Sequence, residues 1–174
     1  VRDTAEGRFR ALYADAYADV LHFAQRRVDH AHAEDVVADA FLVAWRRFDE
    51  APGRADDLRA WLFGIARNCV LNVRRGQGRQ SALGVRVVLS PAADLASSWD
   101  FRVDLAAAWG RLSDGEQEAL ALTVFEDLSS AQAARVLGIS ATAYRLRLLR
   151  ARRALRVLLE PAAVPVLDLK ENLS

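Results

Sequence analysis

The chain has 174 residues, 52% of them hydrophobic, which suffices for one ordinary domain or two small ones and excludes disorder throughout. Its net charge is only +1, and a single cysteine, Cys69, excludes an intrachain disulfide and a four-cysteine zinc site. No secretory leader pattern opens the sequence and no apolar run approaches the roughly 18 residues of a membrane span, so the chain reads as a soluble cytoplasmic protein.

In chain order, residues 3–28 place Phe9, Leu12, Tyr13, Ala16, Tyr17, Val20, Leu21, Ala24 and Val28 at the three-four spacing of an amphipathic helix. Residues 31–48 repeat the pattern with Val36, Val37, Ala40, Phe41, Ala44, Trp45 and Phe48. "DEAPGRADD" at 49–57 interrupts it, because Pro52 and Gly53 favour a loop and Asp56 or Asp57 can cap the next helix. That third helix, over 57–75, directs Leu58, Trp61, Leu62, Ile65, Ala66, Cys69 and Val73 to a core. Periodicity then fails from Gly76 to about Asp100, where "GQGRQSALG" and "SPAADLASS" read as a linker.

Beyond the linker, Val103, Ala106, Trp109 and Leu112 predict a short helix, and "SDGE" at 113–116 is a capping box opening another that runs to about Glu126. In "DLSSAQAARVLGISATAYRLRLL", Ser129 or Ser130 caps one helix, Ala134 allows close approach, Gly138 suits a left-handed helix end and Ser140 caps the next. That is a helix-turn-helix, whose second helix enters a DNA major groove. The fold class is therefore all-α: two small helical domains, 1–77 and 102–160, joined by a flexible linker at 78–101, with a tail at 161–174.

Charge is segmented along these elements. Residues 1–50 carry 7 basic and 10 acidic side chains, net −3, and 59–80 carry 5 basic and none acidic. Residues 101–140 carry 3 basic and 6 acidic, again net −3, and 141–156 carry 6 arginines and no acid. Two basic blocks, each behind an acidic segment, imply two polyanion-contacting surfaces. On the last helix Tyr144, Leu148, Ala151, Leu155 and Leu158 share the core side. The opposite side presents Thr142, Leu146, Leu149 and Arg153 between an edge of Arg145, Arg152 and Arg156 and an edge of Arg147 and Arg150, a division suited to base contacts flanked by phosphate contacts. Leu146 and Leu149 fit either thymine-methyl contacts or a protein-binding surface.

On the second helix Asp35, Ala38, Asp39, Leu42 and Arg46 recur away from the core stripe, an exposed leucine among charges being what a partner-binding helix offers. The third leaves Arg59, Arg67, Asn68, Leu71, Asn72, Arg74 and Arg75 off its core face; with Trp61 and Phe63 they suit phosphate contact and base stacking along an unpaired strand. "DHAHAED" brings His30, His32 and Glu34 together, but Asp29 as a cap followed by acids near a helix start accounts for it without metal. No catalytic triad, phosphate-cradling glycine loop or isolated carboxylate pair is present, and the chain implies neither an enzyme nor a cofactor.

Together these segments resemble the extracytoplasmic-function (ECF) sigma factors of the sigma-70 family, which direct bacterial RNA polymerase to promoters. "DHAHAEDVVADAFLVAWRRF" is similar to their polymerase-binding helix, and "RAWLFGIARNCVLNVRR" to the segment that reads and helps melt the minus-10 element. "RLSDGEQEALALTVFEDLSSAQAARVLGISATAYRLRLLRARRAL" resembles the region that binds the minus-35 element and the polymerase flap. The resemblance implies that Asp35, Asp39, Leu42 and Arg46 face the clamp helices of the largest polymerase subunit. It places Trp61, Arg67, Asn68, Asn72, Arg74 and Arg75 along the minus-10 strand, with the loop 49–57 holding a flipped base. It gives Ser140, Thr142, Arg145, Leu146, Leu149, Arg150 and Arg153 to the minus-35 duplex, and it implies an anti-sigma partner and no membrane insertion.

Two departures stand out. Ala38 and Asp39 occupy a Gln-Glu pair of the family, and Thr142–Arg147 replaces the usual Gly-Thr-Val-Lys-Ser-Arg. The promoter sequence therefore does not carry over. The rival readings are a helix-turn-helix regulator with a helical sensing or dimerising N-terminal half, and a metal-dependent helical enzyme using His30, His32 and Glu34.

Overall fold

The structure, a computed structural model, describes residues 4–76, 84–86 and 99–160, with backbone alone at 99–102. It comprises α1 (Ala5–Gln25), α2 (His30–Arg46), a 3-10 turn at Phe48–Glu50, α3 (Ala55–Gly76), α4 (Trp99–Gly110), α5 (Asp114–Val124), α6 (Ser130–Leu137) and α7 (Ala141–Leu159), with no strand among the described residues. The helix starts are chemically specified. Thr4, Asp29 and Ser140 each accept a backbone N–H from three residues on, satisfying amides that have no partner within the first turn. Ser113–Glu116 and Ser129–Gln132 form reciprocal capping boxes. Gly138 closes α6 at φ +67°, a conformation in which a Cβ would crowd the backbone, so the tight turn into α7 requires glycine.

The N-terminal half packs α2 and α3 against each other and α1 against both. Its centre includes Val20, Phe23, Val36, Ala40, Leu62, Ala66 and Val70, all buried; burying a phenylalanine or leucine there stabilises the fold by about 1.5–3 kcal/mol. In the C-terminal half α7 lies across α5 and α6. Tyr144 fills that centre, and its hydroxyl donates to the Ala119 carbonyl at 2.7 Å and lies 2.8 Å from Thr123 Oγ1, so a large ring is buried without an orphaned polar tip.

The two halves are not separate. α6 packs along α3, and the buried residues of both halves form one continuous apolar cluster. Part of the expected linker takes part: Val85 is buried, its N–H donates to Gln117 Oε1 at 2.9 Å and its carbonyl accepts from Trp109 Nε1 at 2.5 Å. Arg86 N–H donates to the Arg26 carbonyl at 2.8 Å, tying the same segment to the end of α1. Most of the expected linker and the whole tail lie outside the described residues.

Several residues depart from the expected burial, among them Tyr13 and Val103, which are 45% and 51% exposed. Trp45 is 47% exposed rather than core, because it caps the edge of an aromatic cluster, 4.9 Å from the Phe9 ring, whose interior is Phe41 and Phe48. Trp61 is only half-buried. Phe63 is buried, its ring tilted against Phe23 at 5.3 Å and beneath the Arg59 guanidinium at 4.8 Å, so it is not an exposed base-stacking platform.

Candidate nucleic-acid interface

The strongest surface is built on α7. Buried Tyr144, Leu148 and Ala151 fix its rotation, which leaves Thr142, Arg145, Leu146, Leu149, Arg150 and Arg153 exposed on the far side. Arg145 Nη2 donates to Thr142 Oγ1 at 3.2 Å, linking one arginine edge to the central row. Ser140 is exposed beside them, but its hydroxyl already accepts the Ala143 N–H at 3.1 Å and therefore shapes the helix start. Leu146 and Leu149 are 47% and 55% exposed, far more than helical packing requires. No ion pair within the described residues involves the α7 arginines, so the face projects unneutralised positive charge.

On α2 the residues Asp35, Asp39, Leu42 and Arg46 are all exposed, with Leu42 at 46%. They form one polar stripe with an apolar centre, opposite the face that buries Val36, Val37, Ala40 and Ala44. At the start of this helix Asp29 Oδ1 accepts the His32 N–H at 3.1 Å and lies 2.5 Å from His32 Nδ1, the arrangement of a capped helix end. Among the described residues no group of three or more His, Cys, Asp and Glu side chains is placed to hold a metal ion.

The α3 surface is different. Trp61, Arg67 and Asn68 line a cavity of about 410 Å³ whose opposite wall is Arg135–Gly138 of α6. Burial lowers the Arg67 pKa, and its Nε has no hydrogen-bond partner. Arg74 donates from Nε to the Arg27 carbonyl at 3.0 Å and from Nη2 to the Gly84 carbonyl at 3.1 Å. Arg75 reaches Asn72 Oδ1 and both stay exposed, so only Asn68, Asn72 and Arg75 of the six expected residues are exposed. Cys69 lies buried on the opposite face, and burial, with a smaller contribution from Asp39, pushes its thiol up to about 11.

A charge cluster with no signature in the sequence lies between the halves. Arg27, 2% exposed, donates to Glu118 Oε1 at 3.1 Å and Oε2 at 3.3 Å, to Glu126 Oε1 at 3.0 Å and to the Phe23 carbonyl at 3.0 Å. Arg26 approaches Glu126 Oε2 at 3.8 Å and covers the Phe125 ring at 4.5 Å. Arg59 donates to the Glu126 carbonyl at 2.5 Å, and Arg135 pairs with Asp57. Partners 91 and 99 residues apart leave no local pattern, which is why sequence spacing passes over them.

Residues 12–80 match the family Sigma-70 region 2, and residues 102–155 match Sigma-70, region 4. The chain is 32% identical over 161 residues to the ECF RNA polymerase sigma factor SigL of Mycobacterium tuberculosis, covering 89% of this chain and 90% of that one. It is 33% identical over 147 residues to the RNA polymerase sigma factor CnrH of Cupriavidus metallidurans, covering 76% of each. Among solved structures it resembles CnrH in complex with the cytosolic domain of CnrY, with TM-score 0.62 and 30% identity, covering 89% of this chain and 91% of that one. It likewise resembles the sigma factor RpoE in complex with the anti-sigma factor NepR from Bartonella quintana, with TM-score 0.65 and 30% identity, covering 87% and 96%.

Proposed function

The chain belongs to the ECF sigma factors of the sigma-70 family, and on that premise we propose which of its faces meets which partner. It is an alternative sigma factor, a specificity subunit that directs core RNA polymerase to particular promoters. The exposed α7 row of Thr142, Leu146, Leu149 and Arg153 addresses the minus-35 base edges, while Arg145 and Arg150 hold the flanking phosphates and Ser140 positions the helix start. The observation that carries this assignment is an exposed, acid-free arginine face centred on the row Thr142, Leu146 and Leu149, which ends in Arg153. Asp35, Asp39, Leu42 and Arg46 on α2 engage the clamp helices of the largest polymerase subunit, and the C-terminal half also meets the flap. Trp61, Arg67, Asn68, Asn72, Arg74 and Arg75 follow the minus-10 strand, with the loop 49–57 receiving a flipped base.

The proposed domain limits are 1–77 and 102–160, separated by the linker 78–101. Bond-forming chemistry then belongs to the polymerase, the protein itself being no enzyme. Among the described residues no helix is long and apolar enough to cross a membrane, and work alongside polymerase places the chain in the cytoplasm. CnrH and RpoE are each seen with a regulatory partner, CnrY and NepR, which supports an anti-sigma partner here as well. Reconstitution with core polymerase on fragmented genomic template tests the function: reproducible start sites are expected only when the protein is present. Failure to bind core or to select start sites refutes it.

A further inference from the structure

The part of α7 that would lie deepest in a groove is poor in hydrogen-bonding groups. Over residues 141–150 the exposed side chains are Thr142, Ala143, Arg145, Leu146, Leu149 and Arg150. Arg145 and Arg150 stand on the two edges, and the Thr142 hydroxyl already accepts from Arg145 Nη2 at 3.2 Å. Between the edges, Leu146 and Leu149 are the longest exposed side chains of the central row ahead of Arg153. Tyr144, Leu148 and Ala151 fix the rotation that holds both leucines outward. Neither leucine belongs to the apolar cluster of the core, so packing does not account for them.

Charge decides what covers this row. Arg145, Arg150, Arg152, Arg153 and Arg156 are exposed, and no ion pair within the described residues involves an α7 arginine. The matching surface therefore carries negative charge along both edges of an apolar centre, as the two phosphate backbones do on either side of a major groove. Inside that groove a leucine neither donates nor accepts a hydrogen bond. The apolar group that base pairs present there is the C5 methyl of thymine. Against a guanine, cytosine or adenine edge, a leucine strips water from polar atoms and returns no hydrogen bond. Residues three apart on a helix are separated by about 4.5 Å along its axis, and successive bases by about 3.4 Å. Leu146 and Leu149 thus match neighbouring base pairs.

We propose that Leu146 and Leu149 are specificity-determining residues that read thymine C5 methyl groups on neighbouring base pairs of the minus-35 duplex. This inference rests on the assignment of α7 to that duplex. The two positions are read by apolar contact, and hydrogen bonding to base edges is left to Thr142 and Arg153.

The probe is a promoter duplex recovered by the reconstituted holoenzyme from a pool randomised across the upstream element. Thymines at two neighbouring base pairs, on either strand, are expected there. Each is then replaced by deoxyuridine, which keeps the base pairing and every polar group of thymine and removes only the C5 methyl. In competition for holoenzyme at one fixed salt concentration, each replacement should weaken binding about fourfold, the worth of one buried methyl group. Deoxyuridine in the spacer between the two promoter elements should have no effect. With Leu146→Ala in the holoenzyme one replacement should lose its penalty, and with Leu149→Ala the other. Both variants should melt like the wild type, because both leucines are exposed. Equal binding of thymine and deoxyuridine duplexes, or leucine variants that keep the full penalty, overturns methyl reading and leaves the leucines to a protein contact; α7 stays on the duplex if the upstream element is still enriched. Absence of any enriched upstream element refutes the α7 assignment itself, and this inference with it.

Discussion

Arg27→Ala provides the sharpest energetic prediction. The guanidinium is 2% exposed and makes hydrogen bonds to both oxygens of Glu118, to Glu126 and to the Phe23 carbonyl, while lying 3.6 Å from the Phe23 ring centroid. Its removal leaves Glu118 and Glu126, 2% and 1% exposed, as buried carboxylates without their main counter-charge. Breaking one side of such a pair destabilises a protein by about 3–5 kcal/mol. For a chain of this size that corresponds to a melting temperature lower by about 6–20 °C. The contrasting substitution is Arg10→Ala, which breaks the Arg10–Glu6 pair at 2.8 Å with side chains 78% and 70% exposed. That pair is worth about 0.3–0.5 kcal/mol, so two ion pairs of similar length should differ about tenfold in consequence. Urea and thermal unfolding of both variants measures this. A loss below about 1 kcal/mol for Arg27→Ala refutes the view that the cluster stabilises the packing of the two halves.

Other parts of the structure lead to three further expected outcomes. Arg145→Ala and Arg150→Ala should each weaken binding to promoter duplex and lower the salt dependence by about one unit of slope per phosphate contact, read from titrations at several salt concentrations; unchanged slopes sink the α7 assignment. Gly138→Ala should cost about 1 kcal/mol in unfolding experiments, because the backbone at φ +67° is strained for any L side chain although a Cβ there meets nothing within 4 Å. The third concerns pH. Burial raises the Glu126 pKa despite the opposing arginines, so the folded protein holds that proton more tightly than the unfolded chain. Its contribution is complete below the ordinary value of 4.5 and is lost as pH rises through the raised one. Glu126→Gln should therefore flatten the fall in stability above that pH, and an unchanged profile in melts across pH 5–8 refutes the role of Glu126.

What was legible in the sequence was whatever is encoded locally. Ser113, Ser129, Ser140 and Gly138 act as expected because a cap depends on neighbours within four residues. The α7 rotation was equally legible, since Tyr144, Leu148 and Ala151 recur at helical spacing and their burial decides where every arginine points. The α3 surface was not legible to the same degree. Helical spacing separates Phe63 from the core stripe of its own half, yet Phe63 is buried at Phe23, beneath Arg59, whose guanidinium also bonds the Glu126 carbonyl. Val85 shows the same limit: a residue in a stretch without periodicity is buried because Gln117 and Trp109 bind both of its backbone polar groups. Contacts between distant segments leave no period to read.

The segmentation of charge acquires a physical meaning in the folded molecule. The basic block of residues 59–80 is not matched by acids of its own segment, and three of its cations, Arg59, Arg67 and Arg74, lie near the buried Glu118 and Glu126 of the C-terminal half. The block of residues 141–156 has no such counterpart and stays exposed. A net charge of +1 therefore conceals two different states of positive charge: one partly offset inside the fold, where Arg59 pairs with Asp19 at 2.9 Å and Glu118 acts on Arg67 and Arg74, and one presented to solvent.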